Sequence, residues 1–265
     1  MRIALGIEYD GSQYCGWQSQ KHTPNTVQAM LEQALSFVAD HPVKLICAGR
    51  TDTGVHATQQ VVHFDTLSQR NDKAWVLGGT TNLPRDICIR WAKVVSDDFH
   101  ARFSAQSRSY RYLIYNCPVR QALLSTQMTW NYRPLNLEAM QTAANYLVGE
   151  HDFSSYRAVA CQAKSAVRSV HSMKITKVGD VIALDIKANA FLQHMVRNIV
   201  GVLMSIGSGE HPVEWAKEVL DYRDRTKGGV TALPFGLYFV GVEYPKEFEI
   251  PIADYKIPVM PYLPV

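Results

Sequence analysis

Apolar residues alternate with polar ones in some stretches of the chain and recur at helical spacing in others. Alternation predicts a strand over residues 3–9, and a stripe at helical spacing predicts a helix over residues 27–38. Asn25 is its predicted N-cap, with Gln28 three residues later. The next predicted elements are a strand, a strand, a helix and a strand, at residues 43–48, 59–66, 72–80 and 87–95. This is the β-α-β-β-α-β order of the ferredoxin-like unit.

A similar order begins again after a linker near residues 100–107. The predicted elements are a strand at 110–114, a helix at 137–147, a hairpin of 170–178 and 181–188 turned at Gly179-Asp180, helices at 191–206 and 213–221, and a strand at 237–242. The pattern predicts an α+β fold of two ferredoxin-like halves, residues 1–103 and 104–265, whose sheets meet around a central cleft. Ligands often bind where domains meet.

Composition narrows the class of protein. With 265 residues, 47% hydrophobic and 19% charged, the chain is expected to be globular rather than disordered. A formal charge of +3 permits a polyanionic partner but does not identify one.

Targeting and redox features point to the cytoplasm. Glu8 and Asp10 interrupt the first apolar stretch, and the longest later run, Ile199–Met204, is too short for a bilayer, so neither a signal peptide nor a membrane span is expected. Five cysteines without a C-x-x-C pair predict reduced thiols rather than disulfides or a zinc site.

The loop GRTDTGVHA, residues 49–57, concentrates groups that can do chemistry. Asp52, two residues before Gly54, could instead be a residue that only forms a turn, and Arg50 could instead be a surface charge. The density of Arg50, Asp52 and His56 in one loop between two predicted strands favours a functional site. His56 and His63 have no third ligand at metal spacing, so no metal is predicted.

Long motifs in order along the chain resemble the tRNA pseudouridine synthase A family over almost the whole length. They are Tyr9-Asp10-Gly11 with Tyr14, Gly16, Trp17, Gln18 and Gln20, then Thr26-Val27-Gln28, GRTDTGVHA, FHARFSA from Phe99, SYRYLIYN from Ser109, DFSSYRA from Asp152 and NAFLQHMVRNIVG from Asn189. The resemblance implies the pseudouridine synthase fold. It also implies a cofactor-free isomerase that converts uridine to pseudouridine at positions 38 to 40 of the tRNA anticodon stem-loop, as a homodimer.

The resemblance assigns roles to single residues. Asp52 would be the catalytic carboxylate, acting either as a nucleophile at C1′ or as a base at C2′. Arg197 would keep it ionised, since a nearby guanidinium lowers a carboxylate pKa. Because a stacked base must be flipped before C1′ is reachable, Tyr110 would stack on the uracil and Arg50 would hold the vacated space. His56, Arg102 and Arg108 are predicted to bind substrate.

Phosphate contacts are expected from scattered basic residues, namely Arg102, Arg108, Arg111, Arg157, Lys164 and Arg168. Two other classes stay open. An RNA-binding module of RRM topology is disfavoured because residues 59–66 lack an aromatic-rich pattern. An aspartic protease is suggested by Asp52-Thr53-Gly54, but Arg50 and Thr51 stand where those enzymes usually have apolar residues and no second D-T-G exists.

Overall fold

The computed structural model describes residues 1–20 and 22–251. The chain folds into two compact units. The first unit is Met1–Ser107 together with residues 238–251, and the second is Arg108–Leu237. The chain thus crosses between units four residues after the predicted boundary, and its last strand returns to the first unit. The division into domains 1–103 and 104–265 stays a prediction, and residues 252–265 of it lie outside the described part. None of the helices in residues 1–20 and 22–251 has the length and apolar composition that a membrane span requires.

The sheet of the first unit has β1 (Arg2–Tyr9) at its centre. It pairs antiparallel with β4 (Ile87–Val95) on one side and with β3 (His56–Asp65) on the other. The short strand β2 (Ile46–Cys47) pairs with β3, and β10 (Leu237–Glu243) lies parallel to the start of β3, with Tyr238 opposite His56. The alternating apolar residues Ile3, Leu5, Ile7 and Tyr9 of β1 are buried as predicted, but Ala4 and Gly6 between them are buried as well.

Helix α1 (Val27–Ala39) buries Val27, Leu31 and Leu35 completely. Its N-cap is Thr26, whose hydroxyl accepts from the Ala29 N–H, so the prediction of Asn25 is wrong by one residue. The Asn25 amide donates instead to the Gln13 carbonyl. Asn and Thr both cap helices well. Thr26 is the cap here because the Asn25 side chain is bound to Gln13.

Two further predictions for the first unit differ in detail. The strand expected at residues 43–48 is only two residues long, because α1 side chains bind the backbone before it: Ser36 Oγ accepts from Val43 N and Glu32 Oε1 accepts from Leu45 N. The helix predicted at 72–80 contains a π-helical turn, Ala74–Gly78, before α2 (Gly79–Thr81). Trp75 of that turn is fully buried against Phe64 of β3.

The second unit is built on an antiparallel sheet of β5 (Ser107–Asn116), β9 (Val181–Ala188), β8 (Val167–Val178) and β7 (Gly149–Asp152), in that order. The predicted hairpin of β8 and β9 is confirmed, with Gly179 at φ +57° in its turn. Two short strands were not predicted, β6 (Thr129–Asn131) and β7. Strand β6 lies parallel to β5.

Helices of the second unit are α3 (Leu137–Asn145), α4 (Met195–Gly207) and α5 (Trp215–Tyr222). The helix predicted from residue 191 begins only at Met195, because His194 has a left-handed backbone, with φ +62°, that a helix cannot include. The α+β class is confirmed. The first unit follows the predicted β-α-β-β-α-β order.

Candidate active site

The loop of residues 49–55, here called the Asp52 loop, connects β2 to β3. The Val55 N–H donates to the Asp52 carbonyl at 3.2 Å, which closes a turn over Thr53 and Gly54. Gly54 has φ +78°, the conformation that the third residue of a type II turn requires. Glycine is therefore needed here for backbone reasons. The turn leaves Arg50 exposed and Asp52 half-buried.

Thr51 anchors the loop from inside. It is 7% exposed, its hydroxyl lies 2.7 Å from the Tyr9 hydroxyl, and its carbonyl accepts from the Trp17 N–H at 3.0 Å. The segment from Tyr9 to Trp17, which contains the opening motif of the sequence, therefore supports the residue next to Asp52.

Two glycines of that segment allow it to approach the loop. A methyl group on Gly11 would lie 1.9 Å from the Val55 carbonyl oxygen, and one on Gly16 would lie 2.9 Å from the Thr51 carbonyl oxygen. Gly16 also has φ +85°, which L residues rarely adopt. Any side chain at Gly11 would push against the backbone of the Asp52 loop.

His56 is 2% exposed and stacks on Tyr238 of β10, with ring centroids 4.7 Å apart. Its Nδ1 is 3.1 Å from the Gly11 N–H and 3.0 Å from Asp10 Oδ1. An Nδ1 without a proton can accept from Gly11, and an Nδ1 that carries a proton can donate to Asp10. Burial acts to raise the pKa of Asp10, but hydrogen bonds from His56 and Ser12 hold it below its usual value. These contacts support the loop; substrate binding by His56 stays a prediction.

Arg50 and Arg102 share one neighbourhood in the first unit. Burial raises the pKa of the Cys47 thiol to about 12, and the nearby positive charges of Arg50 and Arg102 oppose that rise. Both guanidinium groups are therefore within electrostatic reach of Cys47, and both residues are exposed. Exposed arginines beside the Asp52 loop suit contact with an anionic ligand.

His63, the other histidine considered as a metal ligand, is 2% exposed, and its Nδ1 accepts from the Ala101 N–H. Burial and the neighbouring His100 lower its pKa to about 4. Across residues 1–20 and 22–251, no group of three His, Cys, Asp or Glu residues is placed to hold a metal ion.

Tyr110 lies on β5 in the second unit. It is 8% exposed, and its ring packs edge-on against Phe191 with centroids 4.9 Å apart. Arg108, two residues earlier, is 9% exposed and donates to the Asn189 carbonyl. Arg111 is 6% exposed and forms a bidentate ion pair with Asp185 at 2.6 and 2.9 Å, so its burial does not favour the predicted phosphate contact.

Arg197 lies in the first turn of α4 and is half-buried. Its Nε donates to the Ala232 carbonyl at 2.8 Å, and the Ala232 N–H donates back to the Arg197 carbonyl at 3.1 Å. A methyl group on Gly201 would lie 1.8 Å from the Val230 carbonyl oxygen, so this glycine lets the segment cross close to α4. Arg197 therefore has a fixed orientation within the second unit.

The sequence did not indicate several residues that hold these groups. Tyr9, Trp17 and Gln60 bind the Asp52 loop, and Ala232 binds Arg197. Tyr9 and Trp17 stood in the opening motif, which marked them without showing their role. Nothing in the local sequence marked Ala232, because its contribution is a backbone carbonyl.

The chain is similar over most of its length to proteins of one enzyme family. A family model described as tRNA pseudouridine synthase matches residues 6–104 and 143–245. A tRNA pseudouridine synthase A of Pseudomonas aeruginosa is 61% identical over 250 residues, covering 94% of this chain and 88% of that protein. One from Alcanivorax borkumensis is 60% identical over 250 residues, with 94% of each chain covered. One from Coxiella burnetii is 53% identical over 261 residues, with 98% of each covered.

Proposed function

Because the chain belongs to the tRNA pseudouridine synthase family, we propose that it converts uridine to pseudouridine at positions 38 to 40 of the tRNA anticodon stem-loop. The chain is an isomerase, and its substrate is tRNA. In the reaction, the bond from C1′ of ribose to N1 of uracil breaks, the base turns, and C1′ joins C5. Atoms and electrons balance within the nucleotide, so the reaction consumes no cosubstrate.

The observation that supports a catalytic role for Asp52 is its setting. Asp52 is half-buried and is the first residue of the turn that the Val55 N–H closes. The residue before it, Thr51, faces inward and is bound by Tyr9 and Trp17. Asp52 is therefore held in position from both sides. An ionised carboxylate beside C1′ can attack that carbon or remove the C2′ proton. Both routes require the negative charge.

Arg197 and Tyr110 have supporting roles in the proposal. The Arg197 guanidinium would favour the ionised form of Asp52, and its bond to the Ala232 carbonyl limits the directions in which it can reach. The Tyr110 ring would stack on the uracil, and its hydroxyl would take part in removing the C5 proton. Edge-on packing against Phe191 holds that ring in place.

Base flipping is the second part of the proposal. A uridine inside a stem must leave its stack before C1′ is accessible, and a side chain that occupies the gap stabilises the opened duplex. Arg50 suits this role because it is exposed and lies two residues from Asp52. Arg102, Arg108 and His56 complete the substrate-binding set, with the enzyme acting as a cytoplasmic homodimer that uses neither metal nor cofactor.

Incubation of the enzyme with unmodified tRNA transcripts, followed by pseudouridine mapping at every uridine, tests the substrate. Product at positions 38 to 40 supports the proposal. Product confined to other regions of the tRNA would overturn it.

Asp52→Asn tests the mechanism. Asn keeps the shape and turn-forming ability of Asp but removes the charge, so the variant should fold, bind tRNA and form no detectable pseudouridine. Asp180→Asn, an exposed change in the β8–β9 turn, is the matched control and should keep wild-type activity. Substantial product from Asp52→Asn, measured with excess enzyme and with circular dichroism as a check of the fold, would return Asp52 to a turn-forming role.

A further inference from the structure

Two buried side chains bind the residues on either side of Arg50. The Tyr9 hydroxyl, on a residue 3% exposed, lies 2.7 Å from Thr51 Oγ1. The fully buried Gln60 carboxamide donates to the Gly49 carbonyl at 2.6 Å and accepts from the Gly49 N–H at 3.4 Å. Residues 49 and 51 are thus tied inward, which leaves the side chains of residues 50 and 52 on the outer side of the loop.

The two contacts hold neighbouring points of the loop. Tyr9 is bonded to Thr51, and Gln60 is bonded to Gly49. Tyr9 is the last residue of β1, and Gln60 lies on β3, its antiparallel neighbour in the sheet. Groups on paired strands hold a loop more rigidly than groups on another loop.

We propose that Tyr9 and Gln60 are positioning residues for the isomerisation: they fix the backbone of residues 49–51 so that the Asp52 carboxylate is aligned with its target atom. The inference rests on the proposed role of Asp52. Both side chains are buried and act through the loop backbone rather than on the substrate. A displacement of about 1 Å at a reacting group can lower a rate by about a hundredfold.

Tyr9→Phe tests this inference because it removes one hydroxyl and keeps the buried ring. We expect the single-turnover rate constant at saturating enzyme to fall about tenfold or more, with the tRNA dissociation constant within about twofold of wild type. Thr51→Val should have the same effect, and the double variant should fall little further, because both changes break one interaction. Thr51→Ser keeps the hydroxyl and should keep a rate near that of wild type.

Tyr156→Phe is the matched control. Tyr156 is also fully buried, and its hydroxyl donates to the Ala216 carbonyl in the second unit. The two Tyr→Phe changes should lower the thermal midpoint similarly, but only Tyr9→Phe should slow the reaction. Equal rates in both variants, or a Thr51→Ser enzyme as slow as Thr51→Val, would overturn the positioning role. Absence of anticodon stem-loop product from the wild type would instead refute the proposed function.

A second feature, the turn of residues 100–104, holds an aromatic ring in solvent. Phe103 is 75% exposed and stacks on His100, with ring centroids 4.3 Å apart, while Arg102 Cζ lies 5.5 Å from its ring centre. Four hydrogen bonds make the turn rigid: His100 N to Ser104 Oγ, Ser104 N to His100 O, and the N–H groups of Arg102 and Phe103 to His100 Nδ1.

We infer that Phe103 is a stacking platform for an unpaired nucleobase of the RNA, with Arg102 contacting the phosphate backbone beside it. Exposed aromatic rings next to basic side chains bind single-stranded nucleotides in this way. The rigid turn means that little side-chain freedom is lost on binding. This inference rests on the proposed tRNA substrate and is independent of the Asp52 mechanism.

Phe103→Ala should weaken tRNA binding about fivefold or more, since each base stacked on an aromatic ring strengthens binding by at least about that factor. Phe103→Tyr should bind as wild type and Phe103→Leu as weakly as Ala, because the ring rather than apolar bulk is needed. Phe103→Ala should also leave the salt dependence of tRNA affinity unchanged. Arg102→Ala should instead lower the slope of log affinity against log salt concentration by about one.

Phe37→Ala is the control for loss of an exposed ring, since Phe37 on α1 is also 75% exposed. Equal tRNA affinity for Phe37→Ala and Phe103→Ala, or wild-type affinity for Phe103→Leu, would overturn the stacking role. A wild-type protein without affinity for tRNA would refute the proposed substrate instead.

Discussion

Gly11→Ala is expected to displace the Asp52 loop without touching any residue that we assign to catalysis. The new methyl group would lie 1.9 Å from the Val55 carbonyl oxygen and 2.7 Å from its carbonyl carbon. Normal contact distances are about 3.5 Å, so the two backbones must separate by about 1.5 Å. Neither partner is a flexible side chain, and Val55 N is bonded to the Asp52 carbonyl, so the shift is transmitted to the carboxylate.

A shift of this size predicts a loss of about a hundredfold in single-turnover rate, because reacting groups must be aligned to well within 1 Å. Overpacking should also lower the free energy of unfolding by about 1–3 kcal/mol, measurable by urea denaturation. Gly78→Ala is the control: Gly78 has helical φ −63° and ψ −42°, and its methyl group would lie 3.5 Å from Val38 Cγ2. The control should gain about 0.5–1 kcal/mol of stability and keep its rate. A Gly11→Ala enzyme with wild-type rate would refute the close packing of residues 9–17 on the loop.

Three further outcomes are expected. Arg50→Ala should lower the single-turnover rate more than tRNA affinity, if Arg50 supports the flipped state; a loss confined to affinity would contradict that role. Tyr110→Phe should bind tRNA normally and turn over slowly, and wild-type turnover would leave Tyr110 only a stacking role. The pKa of Asp10 is below its usual 3.8, so its contribution to stability is present above that pH and is lost as pH falls. Asp10→Asn should therefore lose less stability than the wild type as the pH falls below about 4, measured by thermal melts from about pH 5 down to about pH 2.

Local spacing was sufficient for most elements because their main determinant is which side is buried. The alternation in β1, β4 and β10 and in the β8–β9 hairpin predicted those strands to within three residues. The loop GRTDTGVHA could also be recognised as a candidate site from the sequence, because it places many polar groups between two strands. Resemblance to a family then supplied the chemistry, which periodicity alone does not contain.

Several deviations occur where a side chain binds the backbone of a neighbouring segment. Glu32 and Ser36 of α1 occupy the N–H groups that would have lengthened β2, and Asn25 binds Gln13 instead of capping α1. His194 delays the start of α4 through a left-handed backbone. Apolar periodicity carries no information on these polar contacts.

By itself, then, the sequence determined the α+β class, the order of the longer helices and strands and the location of the Asp52 loop, because burial patterns and motifs are local properties. Tertiary structure alone decided how that loop is held. Tyr9 and Gln60 reach it because β1 and β3 pair, and Tyr238 covers His56 because β10 returns to the first unit. Hydrogen bonds and ring contacts between residues so far apart in the chain form only when the sheet brings their strands together.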